Sequence, residues 1–362
     1  MDQLPSSERL DIGALSRLYD NTSASYKFLL FKSILESVHT GNTRLAFDDL
    51  AMRSIAAAWY SIHFYKLSYG HSDRMTRWVD ELDRDMKDRV LISDLSYHHI
   101  YSVLKDLKRE DFPSLDKFIR EFVKLVPYRL ITPWFGEELK GLADSKKNAK
   151  ITELSLRASP YRLLTDEKEG LVLDVRDEWA DYLRSNYSII NGWHSFHFLH
   201  YLQKRNPTVL SLATKLAPPQ ERNMNLVKKL FKDFFGVRKD LKRCLYTGVE
   251  ISGSISHDHF FPWSFLGSDP LYNFVPTTRE VNSAKSNIIP DHSLIQKVSN
   301  FQFEFFDFLR KASRNKALEF YINDLGVREY CEKTEFNFLL EAFYEPLFLT
   351  AKNQGFEMGW KA

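Results

Sequence analysis

The sequence predicts a mainly α protein: a helical N-terminal domain, a small ββα domain, and C-terminal helices packing back. Three observations lead there. Apolar residues recur every three or four positions along most of the chain, the mark of helices with one buried stripe. Strand-like runs are few and short. The makeup is 44% hydrophobic, 27% charged and an unusual 14% aromatic, which supplies ample core and leaves no compositional case for disorder.

Residues 1–24 are polar and end in a cluster of helix-capping residues. Tyr26–Val38 has apolar residues at helical spacing and should stop at Gly41. A second helix is expected from about Thr43–Arg44 to Ser68, with a nearly all-apolar middle at Ile55–Tyr60 that points to a central, buried position. Gly70 breaks it. Further helices are expected at Asp73–Asp85, Asp94–Leu107 and Ser114–Val126, with a short extended piece at 88–94. The stretch 126–139 carries two prolines and reads as a packed connector. The polar stretch 140–150 reads as an exposed loop. Leu171–Val175 reads as a strand with Tyr161–Asp166 as companion, and helices resume at Asp177–Tyr187 and Gly192–Lys204. The C-terminal third reads as helices at Leu294–Lys311, Lys316–Leu325 and Glu335–Leu349. The first carries Phe301, Phe303, Phe305, Phe306 and Phe308, a stripe expected to be core.

A length of 362 residues fits two or three domains. Asn206-Pro207 and Pro218-Pro219 punctuate the chain, so we place boundaries at 1–215, 216–295 and 296–362. Two cysteines, Cys244 and Cys331, indicate no disulfide framework and fit a reducing compartment, with the cytoplasm as the default. No run of about 18 apolar residues is present, so no membrane span is expected. The first residues hold no signal-peptide core. Net charge is only +2, so nucleic-acid binding would need a local basic cluster. One exists. Between Arg222 and Arg243 eight basic residues face two acidic ones, a net +6. Leu226, Val227, Leu230, Phe231 and Phe234 give this segment helical period. Lys228, Lys229, Lys232 and Arg238 are its candidate phosphate contacts.

The most informative stretch follows, at His257–Asn287. Asp258-His259 pairs a hard oxygen ligand for a divalent ion with an imidazole that can take a proton from water near neutral pH. Because neighbours on a strand point to opposite sides, the backbone is expected to leave β geometry here. Asn273 follows after thirteen residues and suits a supporting hydrogen bond to the loop carrying His259. Asn282 follows after eight more and suits a second metal ligand. Thr277 and Glu280 have the T-x-x-E spacing of a capping box, so a short helix is expected to start at Thr277. Asn282 and Lys285 would then share a face, and Lys285 and Arg279 could hold phosphates. Glu280 is accounted for by the cap. His257 should point away from the site by alternation. His194, His197 and His200 alternate with Phe196, Phe198 and Leu199 and read as a packing cluster rather than a metal site.

These residues resemble the HNH, or ββα-metal, endonuclease superfamily. Cys244–Gly248 (CLYTG), Asp258–Phe265 (DHFFPWSF), Asn273 and Asn282–Asn287 (NSAKSN) are similar to the HNH domain of CRISPR type II effector nucleases and of bacterial restriction and anti-phage defence nucleases. The resemblance covers residues 240–290. It implies Asp258 and Asn282 as ligands of one Mg²⁺ or Mn²⁺, His259 as base and Asn273 as support. It implies a DNA-nicking hydrolase with 3′-hydroxyl and 5′-phosphate products, in anti-phage defence or restriction. Many HNH domains bind a structural zinc through CxxC pairs. Thr247 stands where the second cysteine would be, so no structural zinc is expected. Two other readings stay open: a nuclease for RNA or structured nucleic acid, and a helical sensor that docks other defence proteins and whose HNH module works only in the complex.

Overall fold

The computed structural model describes residues 4–86, 97–216 and 224–362. Fifteen α-helices and three small sheets among these residues make the chain mainly α. The chain divides into two compact units, Met1–Pro207 with Leu216–Pro218, and Thr208–Lys215 with Pro219–Ala362.

The first unit begins with α1 (Ile12–Ser16) and α2 (Tyr26–His39), which buries Phe28, Leu29, Ile34 and Val38 and ends before Gly41 at φ +95°. Then come β1 (Arg44–Ala46) and α3 (Phe47–His63). The second expected helix is thus shorter at both ends. At its start, Arg44–Ala46 pair with another strand instead of coiling. Its middle is buried as expected, with Ile55, Ala58 and Trp59 fully enclosed. Next are α4 (Met75–Asp85), α5 (Tyr97–Asp106), α6 (Pro113–Leu130) and α7 (Asp144–Ser155). The extended piece expected at 88–94 lies outside the described residues.

Two expectations fail in this region. The connector at 126–139 begins inside α6, which carries Pro127 in its last turn. The polar stretch 140–150 is largely α7 rather than a loop. Its buried residues, Ile151, Leu154 and Ser155, lie only toward its C-terminal end, so the periodic signal falls outside the polar run. The strands β2 (Tyr161–Asp166) and β3 (Gly170–Val175) form a hairpin, and β1 adds to β3 in the order β1-β3-β2, all antiparallel. The unit closes with α8 (Asp177–Ser185) and α9 (Tyr187–Gln203).

The second unit contains α10 (Asn225–Val237), β4 (Ser256–His259), α11 (Trp263–Leu266), β5 (Phe274–Thr277), α12 (Arg279–Lys285) and β6 (Ile289–Pro290). It ends with α13 (Ile295–Lys311), α14 (Asn315–Leu325), α15 (Lys333–Asn353) and β7 (Met358–Trp360). One aromatic core joins these elements. Phe231 and Phe234 of α10 lie against Phe305 of α13, and Tyr344 of α15 lies against Phe260 and Phe261. The phenylalanine stripe is therefore core, and the C-terminal helices do pack back. A two-stranded ribbon is marginal alone. Here the Gln302 amide of α13 donates to the Phe274 carbonyl at 2.6 Å, and Tyr344 donates to the Tyr272 carbonyl at 2.6 Å.

In the first unit, His194 packs as the sequence suggests. It is buried, with Nδ1 2.7 Å from the Tyr19 hydroxyl. Burial, aided by Lys32 and His197, pushes its pKa down to about 3. The unfolded chain takes up a proton on this imidazole near pH 6.5, while the folded chain resists until about 3. Stability therefore falls as pH drops through that window. Urea denaturation at pH 7, 6, 5 and 4 should show a shallower acid loss in His194→Gln than in wild type. Parallel curves would contradict the assignment.

Candidate active site

The strands β4 and β5 pair in regular antiparallel register, Asp258 opposite Val275 and His259 opposite Phe274. The backbone thus keeps β geometry through the Asp-His pair, contrary to expectation. Phe260 continues the ladder by donating to the Asn273 carbonyl at 2.7 Å. Alternation then sends the two side chains to opposite faces. The Asp258 face meets Tyr246, Lys285 and, through Ser256, Asn282. The His259 face meets Phe274, with ring centroids 4.3 Å apart, and Asp269.

Asp258 is buried, and its partners are a hydroxyl and an ammonium. Tyr246 donates to Oδ2 at 2.5 Å. Burial and the Asp258 charge raise the tyrosine pKa, so it remains a donor. Lys285 Nζ lies 3.1 Å from Oδ2 and donates to the His259 carbonyl at 2.8 Å. It sits at the edge of β4 with no exposed surface. Burial lowers its pKa and Asp258 pulls it back up. Lys285 is therefore no surface phosphate contact: it ties α12 to the strand that carries Asp258 and His259.

Asn282 also faces β4, as the shared-face reading requires. Its Nδ2 donates to Ser256 Oγ at 2.9 Å, which turns the amide nitrogen to the protein and leaves the carbonyl oxygen as the other end. A carboxylate and a carboxamide oxygen are hard donors that suit Mg²⁺ or Mn²⁺. A carboxylate offers about four lone-pair positions, so Asp258 can share itself between Lys285 and a cation. The donor set fits the group. Among the described residues, no cluster of three His, Cys, Asp or Glu side chains could hold a metal, so a cation here would keep several waters.

The helix begins one residue later than the capping box implied. Thr278 is the N-cap, and its hydroxyl accepts from Val281 N at 3.3 Å. Thr277 is fully buried at the end of β5, against Cys244 Sγ at 3.3 Å. Arg279 is exposed at the first turn, and Glu280 is exposed with its pKa lowered by its own backbone N–H and Thr278.

Two residues beside the candidate site were given no role from sequence, Asp269 and Tyr246, the second lying within the quoted Cys244–Gly248 motif. Asp269 lies 2.6 Å from His259 Nε2, and Tyr246 reaches Asp258. The turn Gly267–Pro270 was the available signal for the first, since it can fold an acid back toward the histidine. No periodicity marks the second.

The basic segment is split. Lys228 and Lys232, with Lys242 and His257, line a groove of about 350 Å³ floored by Phe235 and Ile255. Lys229 is exposed outside that lining. Arg238 is engaged by Asp240, at 2.8 Å, and by Glu304. His257 stacks edge-on to Phe231 at 5.1 Å, on the face away from Asp258, and burial lowers its pKa.

Asn273 is fully buried and clamps the loop after β4. Its Oδ1 accepts from Phe261 N and its Nδ2 donates to Phe261 O, both at 2.8 Å. Removing it leaves two buried backbone groups unpaired. Asn273→Ala should cost about 2 kcal/mol or more. The urea midpoint measures this, and a loss under about 0.5 kcal/mol would show the clamp to be unimportant.

The family model described as HNH endonuclease matches residues 244–291. That span holds Tyr246, Asp258, His259, Asp269, Asn273, Asn282 and Lys285. No curated protein and no solved structure matches the chain significantly.

Proposed function

We propose that the HNH endonuclease segment at residues 244–291 makes this chain a metal-dependent nuclease that nicks DNA. The observation that carries the reading is the edge of β4. There Lys285 holds the Asp258 carboxylate and the His259 carbonyl together, with Asn282 bound alongside at Ser256.

His259 takes the proton from the attacking water. Asp258 and Asn282 would hold a Mg²⁺ or Mn²⁺ ion. Bound there, the ion supplies positive charge for the developing oxyanion and the leaving oxygen. Lys285 fixes the carboxylate, and Asn273 fixes the chain that follows the base. Lys228, Lys232 and Lys242 receive flanking phosphates in the groove beside His257, and Arg279 offers one more cation at the start of α12. One site per chain cuts one strand at a time. Restriction or anti-phage defence is the setting we favour, because the resembling domains serve there. No helix among the described residues is long and apolar enough to cross a membrane.

Supercoiled plasmid with Mg²⁺ or Mn²⁺ should relax to nicked circles and remain intact with EDTA. His259→Ala and Asn282→Ala should each lose about 100-fold or more in rate. Undiminished cutting by His259→Ala sinks the assignment. Duplex DNA, single-stranded DNA and RNA digested side by side identify the substrate.

The groove has its own test. Replacing Lys228, Lys232 and Lys242 with glutamine should weaken DNA binding at every sequence and flatten its salt dependence, by about one unit of slope for each phosphate no longer neutralised. A slope equal to wild type would remove the groove from the substrate path.

A further inference from the structure

The candidate base is itself held. His259 Nε2 lies 2.6 Å from Asp269 Oδ1. A carboxylate only accepts, so Nε2 is the donor, and in the neutral ring the lone pair is then on Nδ1. The same carboxylate stabilises the imidazolium formed when Nδ1 takes a proton.

Asp269 sits on the loop after α11, and that loop is pinned from outside. Gly267 ends α11 in the left-handed region, at φ +71°. Its carbonyl accepts from Thr214 Oγ1 at 3.1 Å. The Phe265 carbonyl accepts from Lys215 Nζ at 2.5 Å. A Cβ at position 267 would lie 2.8 Å from Thr214 Oγ1 and 3.0 Å from Ser211 Cβ, so the two segments are pressed together. Lys215 has no exposed surface, and burial brings its pKa down to about 7. Enclosing a lysine is costly, and here its amine ends on the last turn of the helix that leads to Asp269. Both ends of the longer loop are tied as well, through the Asn273 clamp on Phe261.

We infer that Asp269 is a positioning residue for His259, and that Ser211–Lys215 is a strap that sets the loop carrying it. The inference rests on the nuclease reading. It goes beyond it by assigning work to a segment that lies outside the matched span and well before it in sequence. The strap opens the second unit, which begins at Thr208.

The test uses the full chain. Asp269→Ala should lower kcat by about 10- to 100-fold with KM within about twofold, because the deleted hydrogen bond orients the base rather than holding substrate. Asp269→Asn, which keeps an acceptor without the charge, should recover part of the rate. Thr214→Val and Lys215→Met should each lower kcat severalfold. Thr214→Val is the milder change and keeps the strap testable if Lys215→Met fails to fold. Histidine side-chain ¹⁵N shifts supply a readout that needs no turnover: His259 should be the Nε2–H tautomer in wild type and mixed in Asp269→Ala.

Equal cutting by wild type and His259→Ala defeats the nuclease reading. An inactive His259→Ala beside an Asp269→Ala of wild-type kcat defeats only the positioning role, as does an unchanged His259 tautomer in Asp269→Ala. Wild-type kcat in both strap variants removes the strap.

Discussion

The buried ammonium of Lys285 is the contact on which the geometry of the candidate site depends. It reaches a carboxylate and a backbone carbonyl from consecutive residues of one strand. Burying such a pair returns little net stability, because desolvation offsets most of the attraction. Losing one partner is different, since an uncompensated buried charge costs about 3–5 kcal/mol. The pair therefore acts less as glue than as a fixed distance between α12 and β4. Asn282 is carried on the same helix face, so its distance from Asp258 is set by the same contact.

That contact needs a rigid strand beneath it, and a short two-stranded ribbon is a poor candidate by itself. The C-terminal helices supply the rigidity. Gln302 takes the Phe274 carbonyl, and Tyr321 in turn donates to Gln302 Oε1 at 2.7 Å. Tyr344 takes the Tyr272 carbonyl while its ring packs on Phe260 and Phe261. Even the last strand contributes, because Trp360 stands edge-on to Tyr246 at 4.9 Å, behind the hydroxyl that holds Asp258. Residues far beyond the matched span thus decide the geometry within it.

How much of this the sequence disclosed follows from what kind of information each feature carries. Asp258, His259, Asn273 and Asn282 could be singled out because the proposed chemistry demands particular residue types at fixed separations. The buried stripes of α2, α3 and α13 were legible because helical burial leaves a period. Lys285 was placed on the right helix face but given the wrong surroundings, since a period says which residues share a face and nothing of what packs against it. Asp269 and Tyr246 act through loops, where no period links position to direction. The helix at Asp144–Ser155 was hidden because its buried residues cluster at one end. Thr277 imitated a cap because a threonine ending a strand and one starting a helix look alike in sequence.

Asp258 and Asn282 are proposed to form one divalent-cation site beside His259. Mn²⁺ binding to the intact chain, counted by calorimetry, tests it without reference to any substrate. Wild type should bind one ion per chain, and Asp258→Asn, which keeps an acceptor for Tyr246 and Lys285, should lose it with an unchanged circular-dichroism spectrum. Equal binding by wild type and a folded Asp258→Asn would contradict that site.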